Sequence, residues 1–226
     1  MEVTTFRVSF ELDKKSTVKP AELRGFFATK FNEYILLHHH RPDGLLYQYP
    51  FVQYKVIDKR PIVVGMNEGA EVLIEIFNEY DTLKLGDEWF RIVEKDVTYE
   101  TQEVGISQSA IPYSFVTPWA ALNQENYMKY YMMKNSMERN EFLSKTLIGN
   151  LLSFSKAIGY TVPERLVCGM KVRPQKISLK NVHLMAFTGE FQVNYQIPDY
   201  FGLGKSVSRG FGVVRRKIIN EKHPTK

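Results

Sequence analysis

Between Val3 and Leu12 apolar and polar residues alternate with a period of two, the pattern of a strand with one buried face. After Pro20, which suits the first turn of a helix, the period changes. Leu23, Phe26, Phe27, Phe31, Tyr34 and Ile35 recur at spacings of three and four, and predict a core-facing helix that runs on into the histidines after it. Leu45 to Ile57 predicts a strand with Tyr47, Tyr49 and Phe51 on one face, and Pro50 places it at an edge or a bulge. Next come a short strand over Arg60 to Met66 and a helix capped by Asn67 that reaches about Tyr80, with Val72, Leu73, Ile76 and Phe77 facing inward. A hairpin turns at Gly86-Asp87, between strands at 82–85 and 89–93. The order strand, helix, strand, strand, helix, strand is the split βαβ arrangement of a ferredoxin-like domain, shared by RNA-recognition modules.

Near Ile106 to Ala110 the pattern lapses into small polar residues, so the chain is divided there into residues 1–107 and 108–226. The second part predicts a strand over Ile111 to Thr117 and a long helix from Asn135 to Ile158, striped by Leu143, Leu147, Ile148, Leu151, Phe154 and Ile158. Strands at Arg165 to Arg173, Val182 to Ile197 and Val213 to Ile219 follow. The fold class is therefore α+β, two tandem ferredoxin-like domains, the second inferred from element order alone.

Composition narrows the classes. With 226 residues, 44% of them hydrophobic and 24% charged, the chain is long enough for two compact halves. The single cysteine, Cys168, excludes a disulfide framework and fits a reducing compartment. No run approaches the ~18 apolar residues of a membrane helix, and the alternating N-terminus is unlike a signal peptide, so a soluble cytoplasmic protein with no membrane partner is expected. Charge is informative once it is located. From Tyr200 to Lys226 there are seven basic residues against one acidic, which leaves 23 basic and 24 acidic residues for the rest of the chain. Such a tract is either a phosphate-binding surface or a solvated basic tail.

That tract holds the most specific feature of the sequence, Gly202-Leu203-Gly204-Lys205-Ser206-Val207-Ser208-Arg209-Gly210-Phe211-Gly212. Glycines let a backbone approach a ligand and present its amides, while Lys205, Ser206, Ser208 and Arg209 supply groups suited to phosphates. A nucleotide-binding P-loop is excluded because Asp199 stands where its first glycine belongs, and a dinucleotide fingerprint because Val207 stands where it needs glycine. No cofactor is expected.

A glycine-bracketed loop just before a last basic strand resembles the signature of the repeat-associated (RAMP) RNA-binding superfamily. Three further features are similar to one group within it, the endoribonucleases that are sixth of the numbered CRISPR-associated proteins: the histidines closing the first helix, Gly44-Leu45-Leu46-Tyr47-Gln48-Tyr49-Pro50 leading into a strand, and Ile62-Val63-Val64-Gly65-Met66 before a helix. The resemblance implies two ferredoxin-like domains with CRISPR repeat RNA along their cleft. It also implies a metal-independent cut in which a 2′-hydroxyl attacks the adjacent phosphate, leaving a 2′,3′-cyclic phosphate and a 5′-hydroxyl. Other CRISPR-associated proteins of an effector complex are possible partners, and the oligomeric state is left open.

Such chemistry needs a base, an acid and stabilisation of the phosphorane, and imidazole titrates near neutrality. Of His38, His39, His40, His183 and His223, the first three fall where the resembling family keeps its catalytic histidine. The helical stripe carries His38 to the core side, whereas His40 is turned about 200° from it and lies at the helix end, so His40 is the first choice for the base and His38 the second. The plainer alternative is that the run merely ends a surface helix. Tyr47 either bonds the scissile phosphate and orients the histidine or packs as a strand aromatic. Some family members carry a tyrosine in the first helix and a lysine after the histidine. Phe27 and Ala28 stand in the helix here and no lysine occurs between His40 and Lys55, which leaves the acid to Arg41 or a second histidine. No metal site is expected, because adjacent histidines share no helix face. Arg165, Lys171, Arg173, Lys176 and Lys180 form a second basic cluster, of which Arg173 and Lys176 join the glycine loop as candidate RNA contacts. The Tyr127 to Met133 run, with three tyrosines and three methionines, either offers rings for bases to stack on or packs in the core or between domains, and it is not assigned to RNA. The competing functional reading is a noncatalytic RAMP-type RNA-binding subunit, which needs no histidine; an unrelated RNA-binding protein of similar fold is the third.

Overall fold

The alternation at the N-terminus folds as β1 (Glu2–Leu12), central in an antiparallel sheet, in a computed structural model that describes residues 1–15, 17–38, 40–41, 44–45, 49–179 and 182–217. Phe6, Val8 and Phe10 on one face of β1 are buried beneath α1 (Pro20–Lys30), which begins at Pro20 with the Glu22 carboxylate accepting from the Lys19 amide at 3.0 Å. The predicted helix does not continue into the histidines. Phe31 ends it, and after a turn the chain forms only the single turn α2 (Ile35–His38), then β2 (His40–Arg41) paired with β3 (Gly44–Leu45). Tertiary contacts override the helical pattern. Phe31 stays in a cluster with Phe27 and Tyr80, while the buried Leu37 gives its carbonyl to the Tyr54 hydroxyl at 3.1 Å.

Of the strand predicted over Leu45 to Ile57, Leu45 belongs to β3, residues 49–51 are not strand, and β4 (Val52–Ile57) is its last part, followed by β5 (Arg60–Met66). The next helix, α3 (Glu68–Glu75), stops short of Tyr80, and Asn67 uses its side-chain oxygen on the Thr4 amide (3.1 Å) instead of capping. The hairpin forms as expected between β6 (Thr82–Leu85) and β7 (Glu88–Glu103), although β7 runs far past the predicted strand. The order β4-β5-β1-β7-β6 is the ferredoxin-like arrangement with β6 added at an edge.

The second half starts directly with β8 (Gly105–Trp119), so the polar stretch expected to interrupt the pattern is strand. Its irregularity is a bulge. Ile111 faces Val193 and Ile106 faces Tyr195, which leaves residues 107–110 outside the pairing. Then follow α4 (Gln124–Met132), absent from the sequence-based expectation, α5 (Ser136–Ala157), β9 (Cys168–Leu179), β10 (Val182–Gln196) and β11 (Val214–Arg216), the last two residues of the predicted final strand lying outside the described region. The α5 stripe is buried through Leu143, Leu147, Leu151, Phe154 and Ile158. The order β11-β8-β10-β9 repeats the first sheet's topology, with one difference: between β10 and β11, where a second helix belongs, stands the glycine loop.

The halves share a core. Val3, Val64 and Met66 of the first sheet's back face, with Phe51 just before β4, join the cluster built on Trp119, Leu147, Phe154 and Phe187 of the second half. The packing seats β4 against the glycine loop.

Candidate nucleic-acid interface

Backbone amides in the glycine loop are largely consumed by the fold, contrary to the expectation that they face a ligand. Leu203 donates to Gly212 O (2.9 Å), Gly212 to Pro118 O (2.9 Å), Lys205 to Ala120 O (3.0 Å) and Gly202 to the Gln53 side chain (2.9 Å). The glycines serve packing. At Gly212 (φ +65°) a Cβ would collide with the Leu203 carbonyl oxygen, and at Gly210 (φ +87°) it would lie 2.6 Å from Pro20 Cγ, at the start of α1. Gly212→Ala is accordingly expected to destabilise the protein by about 2 kcal/mol or more. In a chain of this size that is a melting temperature lowered by roughly 4–8 °C, measured by differential scanning calorimetry.

Strand β4 joins this loop to the histidine segment. Alternate side chains of a strand point to opposite faces. On one face Tyr54 packs into the first core and holds the α2 backbone at Leu37. On the other, Gln53 accepts from Gly202 N and from Lys55 Nζ (2.6 Å), and Lys55 also donates to Val207 O at 3.1 Å. Tyr49, just before β4, adds a bond from its hydroxyl to Gly202 O at 2.7 Å while its ring meets Phe154 of α5. Lys55 is fully buried, and desolvation drives its ammonium well below the ordinary lysine value. Burial pushes the Tyr49 and Tyr54 phenols up.

Side chains do reach outward from the loop. Lys205 is exposed and Ser206 half-buried, and both line an open groove of about 830 Å³ with Lys176 and His183 of the β9–β10 hairpin and Tyr127 of α4. Partial burial lowers the Lys205 ammonium from its usual value. Ser208 and Arg209 are half-buried on the loop's other side; there Arg24 of α1 is pushed below the usual arginine value, first by burial and then by the Arg209 charge. Arg173 is exposed, but lies three residues from Lys176 on β9, so strand alternation points it to the opposite face, away from the groove.

Of the candidate catalytic residues, the backbone of His38 ends α2 and that of His40 opens β2; His40 is thus not on a helix, and the angular argument separating the two does not apply. Their side chains, together with His39 and Tyr47, lie outside the described residues. The structure thus brings Lys205 and Ser206 to Lys176, and fastens α2 and the glycine loop to one strand. Sequence reasoning left His183 and Tyr127 unassigned and missed the Gln53–Lys55 anchor. Alternation in β4 would place Gln53 and Lys55 in solvent, and only the loop some 150 residues later covers them. Cys168 is half-buried, its thiol pushed up to about 11 by burial. Among the described residues no three of His, Cys, Asp or Glu gather as metal ligands would, and no helix is long and apolar enough to cross a membrane.

Comparison with known proteins agrees with this architecture over almost the whole chain. An uncharacterized protein of Methanocaldococcus jannaschii is 38% identical over 143 residues, 63% of this chain and 97% of that protein. A crystal structure of Cas6b superposes with a TM-score of 0.89 at 33% identity, covering 96% of this chain and 100% of the other. A second, of the CRISPR RNA processing endoribonuclease Cas6b, gives 0.78 at 31% identity with the same coverage. A RAMP protein binding different RNA substrates, at 14% identity and a TM-score of 0.54, shares the fold. Residues 1–103 match the Cas6b N-terminal domain and residues 105–217 the Cas6b C-terminal domain, and the chain therefore belongs to the Cas6b family.

Proposed function

We propose that this chain is a CRISPR RNA processing endoribonuclease that binds repeat RNA and cuts it without a metal, residues 1–107 carrying the catalytic histidines and 108–226 the glycine loop. The observation that carries the reading is the double role of β4, which anchors the backbone beside His38 through Tyr54 and the glycine loop through Gln53 and Lys55. A solved member of the same family, 31% identical over nearly the whole chain, is itself a CRISPR RNA processing endoribonuclease.

In this reading Lys205, Ser206, Ser208 and Arg209, with Lys176 on the groove face of the hairpin and Arg173 reaching RNA only outside the groove, from the other face, hold the phosphate backbone by charge and hydrogen bonds. Gly202, Gly204, Gly210 and Gly212 act by shaping the loop. His40 takes the proton of a ribose 2′-hydroxyl, whose oxygen attacks the adjacent phosphorus. The bond from phosphorus to the 5′-oxygen breaks, and that oxygen receives a proton from His38, with Tyr47 bonded to the phosphate. The products are a 2′,3′-cyclic phosphate and a 5′-hydroxyl.

The test uses purified full-length protein, labelled repeat RNA and an excess of chelator, with the product ends examined. Cutting is expected to persist in chelator and to leave a cyclic phosphate, while RNA with a 2′-deoxy sugar at the scissile nucleotide stays intact. Scission of the deoxy substrate would remove the proposed nucleophile. Tight binding of repeat RNA without any cutting favours the noncatalytic RNA-binding subunit instead.

A further inference from the structure

Among the described residues, one face of α4 is left uncovered. Asn123 caps the helix by accepting from the Asn126 amide at 2.7 Å, and the buried Tyr130 ring fixes it against Phe187, with centroids 5.3 Å apart. On the opposite side Tyr131 and Met132 are 66% and 71% exposed. The Tyr127–Met133 run is therefore not core packing, because only Tyr130 is inside. Tyr127 and Tyr131, four residues apart, lie ring over ring with centroids 6.2 Å apart and planes 28° from parallel. Tyr127 is also part of the groove that holds Lys176 and Lys205.

We propose that α4 and this groove form a platform for unpaired nucleotides of the repeat RNA, with bases on the Tyr127 and Tyr131 rings and phosphates on Lys176 and Lys205. The proposal rests on the RNA-processing reading above and names the form of substrate it takes. Charge selects nucleic acid over an apolar protein segment: among the described residues no carboxylate lines the groove and neither lysine forms an ion pair. The groove continues into the glycine loop through Lys205 and Ser206, so a strand lying in it stays on one basic track. Rings select single strands, because a duplex keeps its base faces stacked on one another whereas an unpaired base has a free face for an aromatic side chain. Methionines at 128 and 132 border the rings with soft, adaptable contacts that impose no base identity.

The test is equilibrium binding of repeat RNA made uncleavable by a 2′-deoxy sugar at the scissile nucleotide, single-stranded and annealed to its complement. The double variant Tyr127→Ala, Tyr131→Ala is expected to weaken single-strand binding by roughly 5- to 150-fold per stacked base lost. The corresponding Phe variants should retain it, since phenylalanine keeps the ring. The slope of affinity against salt should not change in the tyrosine variants, and should flatten in Lys176→Ala and Lys205→Ala. Single-strand binding by the double alanine variant that equals the parent overturns the proposal, as does an equal loss for the annealed duplex. A dimer that dissociates in the alanine variant at unchanged RNA affinity assigns the face to a second copy and overturns it too. If the parent cuts repeat RNA while the tyrosines prove inert, this inference alone fails. A parent that neither binds nor cuts removes both readings.

Discussion

His40→Ala, and to a lesser extent His38→Ala, is expected to slow single-turnover cutting of repeat RNA by about 10²–10⁴-fold while leaving RNA affinity within a small factor of the parent. The reason is a division of labour. In the proposed reading, binding is the work of lysines, arginine and serines on the second half of the chain, whereas proton transfer to and from the ribose and leaving oxygens falls to imidazoles on the first. If His40 is the base and His38 the acid, the pH profile of the single-turnover rate is bell-shaped in the parent and each alanine variant loses one limb. Rapid-quench kinetics against pH, with affinity measured on the uncleavable RNA, separates the two effects. Full cutting by the double variant would move the chemistry to other groups. His183 is the first to examine, because it stands in the groove beside Lys176 and Lys205.

How far the sequence carried this picture depends on where each residue's partners lie. The alternation of β1, the α5 stripe from Leu143 to Ile158 and the Gly86-Asp87 turn were legible because their burial follows the local period. The break between Lys30 and Ile35 was not, since Phe31 and Tyr34 sustain a helical spacing while Tyr54, in a strand far along the chain, captures the Leu37 carbonyl. The same long-range logic misled at the glycine loop. Two Gly-apolar-Gly units suggest exposed amide donors. In the fold, Gly210 and Gly212 leave room for Pro20 and the Leu203 carbonyl, and only the side chains between the glycine pairs remain for a ligand. At α4 the local pattern leaves stacking and packing both open. Tyrosine and methionine are apolar enough to suggest core, but only Tyr130 has a core to enter.

Lys55→Ala and Lys55→Met are expected to part company, although both remove the same ammonium. The side chain fills a fully buried site between β4 and the loop, so truncation to alanine opens a cavity, costing about 2–5 kcal/mol. In a chain of this length that lowers the melting temperature by roughly 4–20 °C, and the loop is loosened with it. Methionine keeps the volume, and the two acceptors keep other donors: Gln53 Oε1 still receives Gly202 N, and Val207 O still receives Gly210 N at 3.2 Å. Lys55→Met therefore leaves few stranded polar groups and removes the desolvation penalty, so near neutrality it should be as stable as the parent or more so. The pH dependence distinguishes them further. Burial depresses the Lys55 pKa in the folded protein, so between that value and 10.5 the unfolded chain binds the extra proton and the parent gains stability as pH rises. Buried Tyr49, Tyr54 and Tyr80 are shifted upward, so they act with the opposite sign, costing stability as pH climbs through and beyond about 10, the free phenol value. Denaturant titrations from neutral pH to about 10 should show a rise in the parent that Lys55→Met lacks. A rise of equal slope in the variant would mean that the lysine keeps its proton in the fold, so that the tie between β4 and the glycine loop would be made by a charged ammonium.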